Sequence, residues 1–350
     1  MKKYILSFFA TAMLCVQAQA QGQKPLEGIP YALPQTAVRL SILVEKTHYQ
    51  PGRLAKYAEK YMKLQNVEQD ERTQYRIVDT RLHAFGVPDS TKLFVAFTGK
   101  KHTINDVQRH RNGVIMAINA KAKEPQEAVA FVPARRQALP KPEDYMNADI
   151  LAATSSAKMA ELIAKDVYDI RESRNMLSRG QAEFMPKDGE QLKLMLNELQ
   201  VQESALMQTF EGVTSKDTTE VTFVYIPAKE KNEELLFRFS KYLGMCDKDD
   251  LSGTPYYIKA DNLNILPELP TVANDGKLKD YAGVHVNVPG KIRLLLYKKN
   301  ELVKSFDLYA GQFGNVVALS GELFSKKQYT ELILDPVTGN IEHVKTETLK

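Results

Sequence analysis

The side chains in this sequence that could do chemistry are its histidines, its clustered carboxylates and arginines, and one cysteine, and their spacing decides how much they can do. The six histidines are His48, His83, His102, His110, His285 and His343, and no two stand at i, i+3 or i+4. Those are the spacings that aim two imidazoles from one helix face at one metal ion. His102 and His110 could meet in space with Asp106 as a third ligand. Around them stand Lys100, Lys101, Arg109 and Arg111, which would repel a divalent cation. No metal is expected.

Asp247-Lys248-Asp249-Asp250 invites a calcium reading. An EF-hand loop would need an oxygen ligand at Leu251 and a glycine at Ser252, and both fail. An ordinary acidic turn is expected instead. Gly99-Lys100, Gly276-Lys277 and Gly290-Lys291 each lack the upstream glycine of a phosphate-binding loop. There is no G-x-S-x-G elbow, no H-E-x-x-H and no C-x-x-C. No cofactor is expected.

Two charged stretches remain as candidate binding residues. Lys100, Lys101, Arg109 and Arg111 form the most basic segment, which would suit an anionic surface such as lipid headgroups, a glycan or a partner's acidic face. The plainer alternative is a solvated loop between strands, since the segment has no interleaved aromatics for stacking. The second stretch is a helix crowded with Asp166, Asp169, Arg171, Glu172, Arg174 and Arg179. Steps of four from Asp166 to Ile170 and on to Arg174 put Arg174 on or beside the apolar stripe, where a guanidinium needs a carboxylate. Glu198 or Glu203 could supply it. Arg171 and Arg174 are then either a groove for a carboxylate or peptide, or an ion pair that fixes helix register; the second reading is the simpler one.

These groups must be positioned by a fold, and the periodicities describe it. Val38, Leu40, Ile42 and Val44 alternate with polar residues, the mark of a half-buried strand. Leu54, Tyr57, Ala58 and Tyr61 predict a short amphipathic helix over 53–64. Strands are predicted at 75–85, 93–97, 114–118 and 128–132. Beyond a proline-marked connector, Ser155 or a neighbour caps a helix that runs to Gly180, and a second helix opens near Asp188 and stops at Gly212. Helices of this length extend roughly 35 Å, and the short link between them predicts an antiparallel hairpin. Strands return at 220–226, 235–239, 256–260, 284–288, 292–297 and 302–308, then at 332–334 and 341–344 across the turn Asp335-Pro336-Val337-Thr338-Gly339-Asn340. For 230–243 a helix is the alternative, because Glu233, Glu234 and Leu235 are good helix formers.

The ends and the composition set the compartment. Lys2 and Lys3 precede an almost wholly apolar run from Tyr4 to Val16, and Ala18-Gln19-Ala20 completes the pattern of a signal peptide cleaved before Gln21. That run is too short for a spanning helix, which needs about 20 apolar residues. Loss of Lys2 and Lys3 leaves 45 basic against 43 acidic residues, a balance that argues against a nucleic-acid binder held by bulk charge. Once Cys15 leaves, Cys246 is alone, so no internal disulfide is possible. It reads as a small buried apolar residue.

Several stretches look familiar together: 29–34, 49–52, 57–61, 170–174, 185–189, 237–240, 312–314 and 335–339, among them Ile29-Pro30-Tyr31-Ala32-Leu33-Pro34, Gln312-Phe313-Gly314 and Asp335-Pro336-Val337-Thr338-Gly339. With them the chain resembles the domain-of-unknown-function family 4831 of exported Bacteroidetes proteins. The resemblance implies a gram-negative envelope setting, and it brings no activity, cofactor or catalytic residue.

The sequence therefore predicts an α+β protein of two β-rich, sandwich- or barrel-like domains with a long antiparallel helical hairpin between them. The expected order is a signal peptide at 1–20, a flexible leader at 21–28, an N-terminal β-rich domain at 29–145, the hairpin at 154–212 and an all-β domain at 213–350. The function expected is a non-catalytic binding or assembly module at the periplasm or outer-membrane periphery, with another envelope protein or a glycan as partner and no transmembrane segment in the mature chain. The alternative is a hydrolase or carbohydrate-active enzyme whose carboxylates meet only in the fold, with Asp79, Asp106, Asp169 and Glu172 as candidates.

Overall fold

A computed structural model describes residues 28–135, 138–186, 188–229, 233–268 and 281–349. The expected signal peptide, its cleavage residues Ala18, Ala20 and Gln21, and the leader through residue 27 lie outside the described residues.

The α+β expectation holds at the level of antiparallel sheets with segregated helices. The strands are β1 (Gly28–Gln50), β2 (Arg72–Phe97), β3 (Val107–Arg109), β4 (Ile115–Ile118), β5 (Val213–Tyr225), β6 (Glu234–Ser240), β7 (Gly244–Cys246), β8 (Thr254–Ile265), β9 (Tyr281–Lys298), β10 (Glu301–Ser320), β11 (Gln328–Leu334) and β12 (Ile341–Thr348). They form three sheets, ordered β2-β1-β5, β10-β9-β8-β6-β7 and β12-β11-β4-β3.

Several breaks that read as loops in the sequence are bulges inside long strands. The predicted strands 75–85 and 93–97 are one strand, β2, and those at 284–288 and 292–297 are one strand, β9. Pro34 and Pro88 sit beside each other where the β1–β2 register jumps from Ala32↔Leu93 to Pro34↔Pro88. Pro289 lies where the β9–β10 register jumps from Gly290↔Ala310 to Val288↔Asn315. Proline withholds a ladder hydrogen bond, so it is tolerated where the ladder is already interrupted.

The bulges form a waist between two apolar cores. Above it, Tyr31 and Leu33 of β1 pack with Ile115 and Ile118 of β4, Val284 and Val286 of β9, and Leu332 and Leu334 of β11. Below it, Val38, Leu40 and Ile42 of β1 face Phe237 of β6, Ile258 of β8, and Ile292 and Leu294 of β9. Both cores draw on the first and last thirds of the chain, and β11 pairs directly with β4. The boundaries 29–145 and 213–350 therefore do not separate the cores. Strands long enough to cross the waist serve both, a length that local periodicity does not reveal.

The third core is helical. Helix α1 (Ala148–Leu151) is capped by Asn147, α2 (Ser156–Ser178) by Ser155 and α3 (Gly189–Glu211) by Asp188; each cap side chain accepts a first-turn backbone N–H. Ile163 and Val167 of α2 pack against Leu206 and Phe210 of α3 and against Leu54, Ala58 and Met62. The predicted helix over 53–64 is narrower, a 3-10 turn at Ala55–Tyr57 continued by a π turn at Ala58–Met62, so Met62 takes the buried place expected of Tyr61. Within 230–243, the stretch with a helical alternative, Glu234–Ser240 is strand and residues 230–232 lie outside the described residues.

One predicted strand is absent. Residues 128–132 are irregular, with Val129 93 % and Val132 81 % exposed. Their alternation finds no neighbouring strand to complete a ladder, and a lone strand leaves its backbone groups to water.

Candidate functional site

A cleft of about 1040 Å³ opens where the first sheet, the 110–128 loop and the β11–β12 turn approach one another. Its floor comes from β1 and β2. Arg39 and His83 face each other across the ladder, and the Arg39 guanidinium lies 5.8 Å from the centre of the Phe85 ring, within cation–π range.

The loop wall is held by side chain to backbone bonds. Asn112 donates to the Gly86 carbonyl at 3.2 Å and accepts from the Val114 N–H at 3.1 Å. Gln108 and Ala122 bond reciprocally, Gln108 Nε2 to the Ala122 carbonyl at 3.2 Å and Ala122 N–H to Gln108 Oε1 at 2.7 Å. His110 Nε2 stands 3.9 Å from Glu124.

The turn wall is rigid for another reason. Both oxygens of Asp335 accept within the turn, from Val337 N–H at 2.9 Å and from the Thr338 hydroxyl at 2.5 Å. The turn then docks into the waist. Thr36 donates to the Val337 carbonyl at 3.0 Å, Asn287 donates to the Thr338 carbonyl at 2.8 Å, and Gln312 exchanges bonds with the Thr36 backbone at 2.8 and 2.9 Å. Lys92 reaches the Asn287 side chain and the Gly311 carbonyl at 3.4 and 3.3 Å. Burial holds the Lys92 ammonium below its ordinary range, with Asp89 working against that shift.

The lining mixes both signs. Arg39, Arg111, Lys121 and Lys123 are interspersed with Glu124, Glu127, Asp335 and Glu342, and Val87, Pro125 and Pro336 supply apolar surface. Burial, and after it the negative charge of Asp335, raises the Glu342 carboxyl above the ordinary carboxylate range. Asp335 is committed to its turn, so these two acids do not make a free catalytic pair. The arrangement is suited to holding a ligand that carries both signs.

The residues singled out in the sequence distribute differently. Lys100 and Lys101 are exposed in the turn after β2, Arg109 bonds the Pro30 carbonyl at 2.7 Å, and Arg111 lines the cleft. The basic segment is thus not one surface: Lys100 and Lys101 lie in a turn before β3, Arg109 ends the strand and Arg111 lies in the turn after it. Arg171 and Arg174 meet on Glu203, one on each carboxylate oxygen, both at 2.6 Å. Gln200 also accepts from Arg174. Glu198 is exposed. Asp79 is bound to Arg81 at 2.9 Å and Lys304 at 3.2 Å, while Asp106, Asp169 and Glu172 are exposed on β3's loop and on α2. The four candidate carboxylates therefore do not converge. Among the described residues, no group of three or more His, Cys, Asp or Glu is placed to hold a metal ion, and no helix is long and apolar enough to cross a membrane.

Cys246, expected buried, is half-buried on the short β7, its thiol 3.5 Å from the Gly244 carbonyl. Asp250 closes the 247–253 turn by accepting from the Ser252 N–H at 2.9 Å and hydroxyl at 2.6 Å.

Sequence reasoning missed Arg39, His83, Phe85, Lys121 and Lys123 as cleft residues, since they come from separate strands and loops. The one signal pointing here was the 335–339 stretch, which with 29–34 and 312–314 builds the waist. A family model described as a domain of unknown function (DUF4831) matches residues 27–342. No curated protein and no solved structure gives a significant match.

Proposed function

The chain belongs to the DUF4831 family, and from that premise we propose that it is a non-catalytic binding module of the cell envelope that holds a polypeptide segment of another envelope protein in the 1040 Å³ cleft. Export is supported by Lys2, Lys3, the apolar run to Val16 and the Ala18-Gln19-Ala20 pattern. The observation that carries the binding reading is the lining itself, four cations and four carboxylates around an apolar strip on an open, strand-built floor. A polypeptide offers both charge signs and apolar side chains at short intervals, which such a lining complements. A glycan is less well matched, because the aromatic ring in the floor, Phe85, is already faced by Arg39.

Photo-crosslinking in intact cells tests this. A crosslinker placed at Val87 should capture one defined protein, and Arg111→Glu combined with Lys123→Glu should abolish capture while the protein stays folded. N-terminal sequencing of the same material should begin at Gln21. Capture of glycan alone, or turnover of one, would replace the binding-module reading with the carbohydrate-active alternative.

A further inference from the structure

Arg39 is the strand arginine whose donors the fold leaves unused. In the described strands, Arg72, Arg76, Arg81 and Arg293 each meet a carboxylate, at 3.1, 2.7, 2.9 and 2.7 Å. Arg109 and Arg238 each donate to a backbone carbonyl. Arg76 and Arg293 find their acids directly across a ladder, in the pairs Glu45↔Arg76 and Asp307↔Arg293. Arg39 lies in the middle strand of its sheet, and its cross-strand neighbours are His83 and Val224. It is half-buried and lines the cleft. Among the described residues, none of the five N–H groups of its guanidinium has an acceptor; its contact is the Phe85 ring at 5.8 Å. His83, half-buried beside it, likewise makes no side-chain hydrogen bond or ion pair among the described residues.

We propose that Arg39 is the anchor of this cleft and receives a carboxylate of the bound polypeptide in a two-bond fork, with the His83 imidazole at its side. The proposal rests on the reading of the cleft as a polypeptide site and adds the group that fixes the occupant in place.

A guanidinium matches a planar carboxylate, or a phosphate, through two parallel N–H bonds. The cleft favours the carboxylate. Glu124, Glu127, Asp335 and Glu342 line the same space, and a doubly charged phosphate meets about twice the repulsion that a carboxylate meets there. These acids do not occupy Arg39 themselves. Asp335 is committed to its turn, Glu124 stands 3.9 Å from His110, and neither Glu127 nor Glu342 is ion-paired with the guanidinium. The other lining cations, Arg111, Lys121 and Lys123, are exposed, so water competes for them and their charge steers more than it holds. Phe85 confines the Arg39 guanidinium through the ring contact, which uses its charge and not its N–H donors. Two sources of carboxylate fit: an Asp or Glu side chain within the segment, or the segment's C-terminus.

The test is a nuclear magnetic resonance titration of the purified chain, read at the Arg39 Nε–H and the His83 ring, with circular dichroism reporting the fold of every variant. The probes are N-acetyl-glutamate α-amide, which carries a side-chain carboxylate alone, N-acetyl-alanyl-alanine, which carries a terminal one alone, and N-acetyl-glutamine amide as the neutral control. Both resonances should move and saturate with a carboxylate probe at millimolar concentration and stay still with the control. The tighter carboxylate probe names the source. Arg39→Gln should weaken binding, read at His83, by about tenfold or more. Arg39→Lys keeps the charge without the fork and should fall between it and the parent, while Arg111→Gln should change little. Three results overturn the proposal: no response at Arg39 to either carboxylate, an equal response to the neutral control or a tighter one to inorganic phosphate, or a loss in Arg111→Gln as large as that in Arg39→Gln. Capture at Val87 is a separate readout. Capture without a response at Arg39 sinks the anchor alone, and a response without capture of any protein sinks the polypeptide reading while Arg39 remains a carboxylate receptor.

Discussion

Asn287, fully buried in β9, donates its side-chain amide to the carbonyl of Pro34 in β1, 253 residues earlier, at 2.8 Å. The same amide reaches the Thr338 carbonyl at 2.8 Å, and the Asn287 backbone N–H reaches Gly339 at 3.0 Å. One side chain thus ties the first strand, the ninth and the last turn together where both ladders bulge. It satisfies one carbonyl at the β1 bulge and one in the turn between β11 and β12.

Asn287→Ala should therefore cost more than an ordinary core truncation. Two buried carbonyls lose their donor, each at about 1–3 kcal/mol. A total loss of about 2–6 kcal/mol is expected, read as a lower urea midpoint at unchanged slope. A loss below about 1 kcal/mol would show that water takes over both acceptors and that the waist is not a closed node.

Glycine at 86 is a matter of space. A Cβ built there meets the Pro336 carbonyl oxygen at 1.9 Å and the Pro34 side chain at 3.2 Å. Gly86→Ala should push the 335–339 turn away from β2, destabilise the fold by about 1–3 kcal/mol and reshape the cleft, lowering photo-crosslink capture at Val87. At Gly189, in the first turn of α3, a Cβ meets nothing and the backbone is ordinary. Gly189→Ala should be neutral or slightly stabilising. Equal effects of the two substitutions in thermal melts would contradict this packing.

The Glu203 carboxylate is nearly buried between two guanidiniums whose side chains are 35 % and 31 % exposed. Partial solvation of the arginines lowers the expected cost of Glu203→Ala to about 1–3 kcal/mol, below that of breaking a fully buried pair. Arg171→Ala should cost less, since Arg174 still neutralises the acid. In a double-mutant cycle the two changes should be clearly non-additive. Additivity would mean that the helices hold their register without this triad.

A pH dependence follows from His285. Its ring stacks on Phe94 at 3.9 Å, and burial lowers its pKa below the ordinary histidine value, with a backbone hydrogen bond to Gly283 opposing the shift. The folded state thus binds a proton less readily than the unfolded chain, so this group's contribution is fully present above the unfolded pKa, about 6.5. It is lost as pH falls from there through the lower folded value. Stability should decline between about pH 7 and 5, and His285→Phe should flatten that part of the profile. A parent whose urea midpoint is constant across the interval would rule the contribution out.

Local chemistry was written in the chain and could be read from it. Ser155 and Asp188 begin the two long helices and Gly180 and Gly212 follow their ends, because caps and left-handed residues act within one turn. The alternation at Val38–Val44, the 335–340 turn and the need of Arg174 for an acid are of the same kind. Resemblance carried over residues 29–34, 312–314 and 335–339 marked the waist without saying what it was.

Only tertiary structure decided the rest. Pro34, Pro88 and Pro289 look like strand ends in sequence, yet sit in strands that continue through bulges, because a distant partner supplies the missing bonds. That continuation merges the two expected domains into cores shared by both ends of the chain. It also gathers Arg39, His83, Arg111 and Asp335 around one cleft. Which strand pairs with which is fixed by burial and hydrogen bonding summed over hundreds of residues of separation, and no local pattern contains that sum.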